Sequence, residues 1–219
     1  MVSYSMDQFD DNKLVEFFEQ YPLVRYNAKE TVYRPDEMID RVAFVKKGFV
    51  RIYNHDETGK EITYAGFKPI FYMSYLFSKK KTPNQYYFQA LTDLEVWKAP
   101  VDEFDKFLIT NPIETVNLLN RCLGSFHEVL SSWENSLSGD AYKRIGRLLL
   151  TLAKDYGKKD DKKITIDFRT THQLIASMLG ISRETASIQI KKMEKDSYIS
   201  QEKNTIILND IEKMSLKFS

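Results

Sequence analysis

The sequence has few of the residues on which metal, redox and membrane chemistry depend. A single cysteine, Cys122, occurs in 219 residues, which excludes an internal disulfide framework and a cysteine-based zinc or iron–sulfur site. The three histidines, His55, His127 and His172, do not have the spacing of metal ligands. No apolar run approaches the ~20 residues needed to span a bilayer. We therefore expect no metal, no cofactor and no membrane contact.

Secretion and catalysis also lack support in the sequence. Residues 1–11 are acidic and do not show the basic and then apolar layout of a signal peptide. Together with the single cysteine, this predicts a cytoplasmic location. No nucleophile–base pair, metal set or phosphate-binding glycine loop is present, so we do not expect an enzyme.

The charge is unevenly distributed along the chain. The net charge is only +1, but residues 138–219 contain 16 of the 32 lysines and arginines and 11 of the 31 acidic residues. The C-terminal third is therefore basic and the remainder acidic. Contact with phosphate groups requires such a basic region, although an ordinary solvated surface would also explain it.

The N-terminal half is predicted to be mainly β-structure. Residues 7–20 suggest a short amphipathic helix. From about 24 to 100, short stretches rich in Val, Ile, Tyr and Phe alternate with turn residues, which favours an antiparallel sandwich or barrel. The segments Phe49–Tyr53 and Glu61–Tyr64, joined across Asp56–Gly59, predict a hairpin.

A long helix is predicted after a short one at 101–109, starting at Pro112 and ending near Leu137. Its apolar residues recur at alternating spacings of three and four, the pattern of a helix that pairs with its twin. The alternative is that this row packs on its own barrel, but Leu118, Cys122 and Val129 form a second apolar flank that could do so. The predicted dimerisation residues are Val116, Leu119, Leu123, Phe126, Leu130, Trp133 and Leu137.

Two further helices predict a helix-turn-helix. Ser138–Asp140 interrupts the alternating spacing of three and four and is the best domain boundary. A helix then runs over 141–156, and Gly157 with the charged segment 158–163 ends it. Thr170 and Gln173 fit a capping box that would begin the next helix. Gly180 can end that helix in a left-handed conformation, and Ser182 can cap its successor.

The start of the second helix carries side chains suited to DNA. Arg183 can donate two hydrogen bonds to guanine O6 and N7, and Glu184 can accept one from cytosine N4. Ser182 and Thr185 could hold phosphate oxygens near the positive end of the helix. Apolar residues on either side of Lys203-Asn204 then predict a two-stranded wing.

These residues resemble a known family. The run Gly180-Ile181-Ser182-Arg183-Glu184-Thr185, followed by Glu194, resembles the recognition segment of the bacterial Crp/Fnr transcription regulators, and Phe44–Arg51 resembles their effector domain. The resemblance implies an α+β fold with an antiparallel jelly-roll sensor (1–111), a dimerisation helix (112–137) and a winged helix-turn-helix (138–219). It also implies a homodimer that binds a palindromic promoter site in double-stranded DNA and works with RNA polymerase.

The resemblance assigns roles to individual residues. Arg183 and Glu184 become the base-reading pair, joined by Ser187 and Ile188. Ile188 stands where many members have a second arginine, so the half-site should differ at that base pair, because isoleucine can touch a thymine methyl but cannot read guanine. The residues expected to contact the DNA backbone are Thr171, His172, Gln173, Ser182, Thr185 and Lys191. His172 could instead be an ordinary surface histidine.

The identity of an effector stays open. Members that bind cyclic nucleotides use a Gly-Glu and an Arg-Ser pair, whereas the corresponding stretches here are Phe71–Ser74 and Asn84–Tyr86, so a response to cAMP is not expected. The oxygen-sensing branch needs an N-terminal cysteine cluster and the haem branch a histidine near Met73-Ser74, and neither is present. The Phe71–Ser74 stretch and the Tyr86-Tyr87 pair resemble the PrfA-like branch, which lacks a working nucleotide site and responds to glutathione.

An aromatic-rich region could bind a small effector. The alternative is that these rings simply fill the barrel, and that Cys122 is buried, inert packing rather than a thiol contact. A second hypothesis for the whole protein follows, a small-molecule or thiol sensor whose DNA binding is vestigial. The residues predicted to line such an effector pocket are Tyr64, Phe67, Phe71, Tyr72, Tyr86, Tyr87 and Cys122.

Overall fold

The computed structural model describes residues 12–67, 71–79, 82–137 and 140–218. Within these ranges it does not describe the side chains of Phe67, Phe71, Glu128, 131–133 and 135–137. The described chain clusters into two compact units. The first unit comprises described residues up to 50 and from 67 to 133, and the second those from 51 to 66 and from 134 onward.

Eight strands of the N-terminal half form two four-stranded sheets. The sheet orders are β1-β8-β3-β6 and β2-β7-β4-β5. Pairing is antiparallel where its register is resolved, as where Phe44 of β3 lies opposite Trp97 of β8. The predicted jelly-roll type of fold and the predicted hairpin are thus confirmed. The strands are β1 (Leu23–Tyr26), β2 (Thr31–Tyr33), β3 (Arg41–Lys47), β4 (Val50–His55), β5 (Glu61–Phe67), β6 (Phe71–Tyr72), β7 (Tyr87–Ala90) and β8 (Leu94–Pro100).

Three short helices accompany these strands: α1 (Asn12–Glu19), α2 (Tyr75–Ser78) and α3 (Val101–Thr110). The described part of the helix predicted over 7–20 begins at Asn12. Phe18 of α1 is fully buried and stacks on Phe44 with the ring centroids 4.7 Å apart. Phe104 of α3 and Tyr72 belong to the same aromatic core. Burial of these rings holds α1 and α3 on the sheet formed by β1, β8, β3 and β6.

The long helix α4 (Pro112–Leu137) has the predicted bounds. Its inward row is Glu114, Leu118 and Arg121, all buried. Cys122 and Val129 are exposed, so the prediction that they face the barrel was wrong. At about 100° per residue they lie some 50–75° away from the centre of the inward row.

The second unit is built around a four-stranded sheet of order β11-β12-β10-β9. Helix α5 ends before Gly157 as predicted, and the charged segment that follows takes part in a hairpin of β9 (Gly157–Asp160) and β10 (Lys163–Ile166), which the sequence did not indicate. β9 is one of the two outer strands of this sheet, and all four of its residues are exposed. The other elements are α5 (Ala141–Tyr156), α6 (His172–Leu179), α7 (Arg183–Lys195), β11 (Ile199–Glu202), β12 (Thr205–Leu208) and α8 (Ile211–Phe218).

Helix α5 is the central support of this unit. Ile145 and Leu149 on α5 and Ile190 on α7 are completely buried. Gly146 lets α8 approach closely, because a Cβ at this position would lie 2.4 Å from the Phe218 ring. Among the described helices, none is long and apolar enough to cross a membrane.

Candidate nucleic-acid interface

Helices α6 and α7 are joined by the tight turn that the sequence predicted. Gly180 has φ +64°, a left-handed conformation that glycine adopts without strain, and its N–H donates to the Ala176 carbonyl. The Arg144 guanidinium donates to the carbonyl of Leu179 at the end of α6. The turn is therefore fixed both by backbone geometry and by a side chain from α5.

Both helices begin with a hydroxyl cap, one of them displaced from the prediction. Ser182 Oγ accepts the Thr185 N–H at 3.0 Å, as expected. The cap of α6 is Thr171, which accepts the Leu174 N–H at 3.1 Å. The prediction of Thr170 was wrong, because its backbone N–H donates to Asn204 of the wing at 2.8 Å and its side chain is buried.

Helix α7 separates a buried side from a side that faces solvent. Ala186, Ile190 and Met193 are completely buried, as predicted. Arg183, Glu184, Ser187 and Ile188 line a common shallow hollow on the opposite surface. Apart from Ser187, which is half-buried, these residues are exposed. The side chains predicted to read bases are therefore accessible to a large partner such as a DNA duplex.

Glu184 is held in its ionised form. A hydrogen bond from its own backbone N–H, another from the Ser182 hydroxyl, and the neighbouring positive charge of Arg183 lower the pKa of its carboxyl group. The ionised carboxylate has only acceptor oxygens. Glu184 can therefore accept a hydrogen bond from a base amino group at neutral pH, while Arg183 next to it can only donate.

The residues predicted to contact phosphate surround the starts of α6 and α7. The hydroxyls of Ser182 and Thr185 lie 3.0 Å apart, and their contact uses only one of the two hydroxyl hydrogens. Since the Ser182 hydroxyl donates to Glu184, the Thr185 hydroxyl donates to Ser182, and either hydroxyl would have to turn from its present partner to donate to a phosphate. Thr171 caps with its oxygen, which leaves its hydroxyl hydrogen for a phosphate, and Gln173 is exposed. Lys191 is exposed two turns beyond Arg183 on the same side of α7.

The wing is bound to the start of α6, a link that the sequence did not reveal. His172 Nε2 lies 3.1 Å from Gln201 Oε1 on β11, and an amide oxygen can only accept, so Nε2 donates. Lys203 and Asn204 both have positive φ, 48° and 67°, which gives a two-residue hairpin turn. This turn leaves the Lys203 side chain exposed, and the carbonyl of Asn204 in the same turn accepts a hydrogen bond from the Thr170 N–H. Asn204 was the sequence signal for the turn, because asparagine tolerates a positive φ, but it did not indicate the contact between the wing and α6.

The outer row of α4 is an exposed apolar surface. Val116, Leu119, Leu123, Phe126 and Leu130 are each between 43% and 62% exposed. This contradicts the alternative that the row packs on its own barrel, since the row lies opposite Glu114, Leu118 and Arg121. The side chains of Trp133 and Leu137 lie outside the described residues. Exposed apolar residues gathered along one side of a helix are typical of interaction surfaces.

The predicted effector residues do not share one environment. Tyr72 is buried in the core with Phe44, and Tyr86 packs edge-on against Phe77 with ring centroids 5.6 Å apart. Tyr64 is exposed and belongs to the second unit, whereas Tyr87 is half-buried in the first. The side chains of Phe67 and Phe71 are not among those described. For Tyr72 and Tyr86, the packing favours the alternative that aromatic rings fill the barrel.

Cys122 is exposed rather than buried as inert packing. Partial desolvation by neighbouring atoms raises the pKa of its thiol, which lowers the fraction of reactive thiolate at neutral pH. Within the described ranges, no three His, Cys, Asp or Glu side chains come together as metal ligands would.

Comparison with known families and proteins gives matches to both halves of the chain. Residues 143–216 match the Crp-like helix-turn-helix domain, and residues 23–111 match the cyclic nucleotide-binding domain. The chain is 27% identical to the global nitrogen regulator of Nostoc sp., over 95% of this chain and 98% of that protein. It is 26% identical to the cAMP-activated global transcriptional regulator CRP of Pasteurella multocida, over 90% and 95% of the two chains.

A solved structure supports the fold. A CRP-family transcriptional regulator from Thermus thermophilus superposes with a TM-score of 0.77 at 20% identity, covering 89% of this chain and 95% of that one. The order of a sheet domain, a long helix and a helix-turn-helix is thus shared. The resemblance to the PrfA-like branch is not tested by these matches and stays a prediction.

Proposed function

The chain belongs to the Crp/Fnr family of transcription regulators, and on that basis we propose that it acts as a homodimer on a palindromic promoter site and does not respond to cAMP. The observation that carries the proposal is the pairing of a donor, Arg183, with an ionised acceptor, Glu184, on the exposed start of a capped helix. The sensor, dimerisation and DNA-binding regions are taken as 1–111, 112–137 and 138–219.

The exposed row of α4 supports the dimer. A parallel pair of α4 helices would cover Leu119, Leu123 and Phe126 with the same residues of the second copy. Such a dimer presents two α7 helices related by a two-fold axis. Its natural target is an inverted repeat whose half-sites lie about 34 Å apart, one turn of DNA.

Insensitivity to cAMP is supported by the residues at the expected phosphate position. Asn84, which lies in the stretch that corresponds to the Arg-Ser pair of the nucleotide-binding members, is buried. Its side-chain amide donates to the carbonyls of Arg34, at 2.8 Å, and Tyr86. These bonds commit Asn84 to holding its own loop. A cyclic phosphate would find neither a charge nor a spare donor on this side chain.

The remaining partners follow from the same proposal. A regulator that binds promoter DNA works beside RNA polymerase, and in a bacterium both are in the cytoplasm. The alternative of a thiol sensor with vestigial DNA binding is not favoured, because the caps, the turn and the exposed α7 surface are all intact and the pKa of the Cys122 thiol is raised.

Selection of bound duplexes from random DNA tests the proposal. We expect an inverted repeat containing a guanine in each half-site. Arg183→Ala should weaken binding to that repeat by ~1–3 kcal/mol and relax the preference at the guanine. The matched control is Arg25→Ala, which removes an exposed arginine of the first unit that pairs with Glu95 at 3.0 Å. Selection of no consensus by the wild-type protein would contradict the proposal.

A further inference from the structure

The start of α5 and the ends of α7 and α8 surround a hollow on the surface of the second unit. Its volume is about 480 Å³, and its lining includes one lysine from each helix together with two aspartates and two tyrosines. All of these residues belong to the second unit. We call it the lysine hollow, after its three exposed lysines, Lys143, Lys192 and Lys217.

Both carboxylates of the lysine hollow already accept hydrogen bonds from other groups. Asp196 Oδ2 accepts from the hydroxyl of Tyr142 at 2.6 Å, and Asp140 Oδ1 accepts from the backbone N–H of Lys143 at 2.9 Å. Among the described residues, no ion pair includes any of the three lysines. Three lysines and two aspartates give the lining a net charge of +1, with the ammonium groups available to a ligand.

Tyr142 holds one of these ammonium groups in place. Its side chain is buried, and its ring centroid lies 5.5 Å from that of Phe218. Burial and the hydrogen bond to Asp196 raise the pKa of the Tyr142 hydroxyl, so that it stays protonated and continues to donate. Lys192 Nζ lies 4.7 Å from the centre of the same ring, whose face attracts a cation. Lys192 is therefore positioned at the hollow before a ligand arrives.

The position of Lys143 is unfavourable within its own helix. Lys192 and Lys217 lie in the last turns of α7 and α8, where the negative end of the helix dipole stabilises a cation. Lys143 lies instead in the first turn of α5, at the positive end, and that turn contains no acidic residue beyond the cap. An anion bound in the hollow would offset this repulsion.

The lysine hollow lies on a different side of α7 from the base-reading residues. Lys192 follows Arg183 by nine positions, so at 100° per residue the two side chains leave the helix about 180° apart. The described lining contains no residue that is predicted to read bases or to contact the DNA backbone. A ligand in the hollow would therefore leave Arg183 and Glu184 accessible.

We propose that the lysine hollow binds a phosphate group. Three separate ammonium groups, each with three donors, suit the tetrahedral oxygens of a phosphate, whereas a planar carboxylate is matched best by the fork of an arginine. The described lining contains no arginine. The phosphate could belong to a small phosphorylated molecule or to the backbone of a duplex, and the experiment separates these two sources. The site goes beyond the proposed function, because it uses other residues than those that the function requires.

Calorimetric titration of the full-length protein with pyrophosphate at low salt tests the first source. We expect wild type to bind, and Lys143→Gln and Lys192→Gln each to raise the Kd about fivefold, because each removes a charge-assisted donor. Asp196→Asn should lower the Kd, since it removes a negative charge from the lining while its amide oxygen can still accept from Tyr142. Citrate, a carboxylate of comparable charge, should bind more weakly than pyrophosphate.

Two controls locate the binding. Lys154→Gln removes an exposed lysine from the same side of α5, about 16 Å beyond Lys143, and should leave the Kd for pyrophosphate unchanged. Arg183→Ala should also leave it unchanged, which separates the hollow from the start of α7.

Binding to a duplex of random sequence at several salt concentrations tests the second source. If the DNA backbone supplies the phosphate, Lys143→Gln and Lys192→Gln should each reduce the slope of log Kd against log salt by about one, and Lys154→Gln should not. A change in either measurement supports the site and identifies its source.

The inference is overturned if neither lysine variant changes the Kd for pyrophosphate or the salt slope, or if citrate binds as tightly as pyrophosphate. Both results would leave the selection of an inverted repeat untouched. A wild-type protein that selected no inverted repeat would contradict the proposed function but not the titration with pyrophosphate, so the two proposals fail separately.

Discussion

Truncation of Leu123 to alanine should separate the proposed dimer. Leu123 is 58% exposed in the protomer and lies in the middle of the apolar row of α4. Full burial of a leucine side chain contributes about 1.5–3 kcal/mol, so covering the exposed part contributes about 1–2 kcal/mol per copy. Two copies meet at the two-fold axis, and alanine retains only part of this area. We expect the dimer to lose roughly 1–3 kcal/mol, a roughly 10- to 100-fold higher dissociation constant.

Sedimentation equilibrium over a dilution series measures this constant directly. Leu216→Ala is the matched control, because Leu216 is 90% exposed on α8 and lies outside the α4 row. It should leave the constant unchanged. Thermal unfolding of the Leu123→Ala protomer should stay close to wild type, since the side chain has few contacts within its own chain. An unchanged dissociation constant in Leu123→Ala, or a wild-type protein that is monomeric at every concentration, would refute the reasoning.

Three further predictions concern the helix-turn-helix. Gly180→Ala should cost about 1–2 kcal/mol of unfolding free energy, because alanine resists the left-handed conformation at φ +64°; the midpoint of urea unfolding should fall at constant slope. Ile188→Arg should add a guanine to the selected half-site with about 1–3 kcal/mol of discrimination, and an unchanged consensus would show that this position does not face the bases. Since the pKa of Glu184 is lowered, its carboxylate stays charged as the pH falls from 7 to 5, and the charge is lost only at still lower pH. The preference for cytosine should therefore be equal at pH 7 and pH 5 in competition binding, and a preference that disappeared by pH 5 would contradict the assigned role.

The elements that the sequence predicted well are those specified by local signals. Gly180 and Ser182 end one helix and begin the next through their own backbone and side-chain geometry, so the turn could be located without knowing any tertiary contact. Pro112 likewise marked the start of α4, and the alternating spacing of its apolar residues identified the exposed row.

The elements that the sequence misplaced depend on partners distant in the chain. The cap of α6 moved from Thr170 to Thr171 because the Thr170 N–H is taken by Asn204. The strand β10 forms because Ile164 and Thr165 pair with β12, more than forty positions later. Residues of β10 do alternate between polar and apolar, but the strand is only four residues long and directly follows the charged segment.

The lysine hollow was inaccessible to sequence reasoning for the same reason. Lysines are common on exposed helices, and no local pattern relates Lys143 of α5 to Lys192 of α7, much later in the chain. The effector residues illustrate the opposite error. Their aromatic composition suggested a shared pocket, but Tyr64 and Tyr72 belong to different compact units.

The outer strand of the C-terminal sheet has a consequence for solubility. β9 exposes one edge of unpaired backbone groups, which could recruit a strand from another molecule and begin aggregation. Its sequence, Gly-Lys-Lys-Asp, places two lysines on this edge, and a foreign strand would have to desolvate or displace their ammonium groups. The charged segment thus protects the β9 edge of the sheet, and its replacement by apolar residues should favour fibrous assemblies over folded protein.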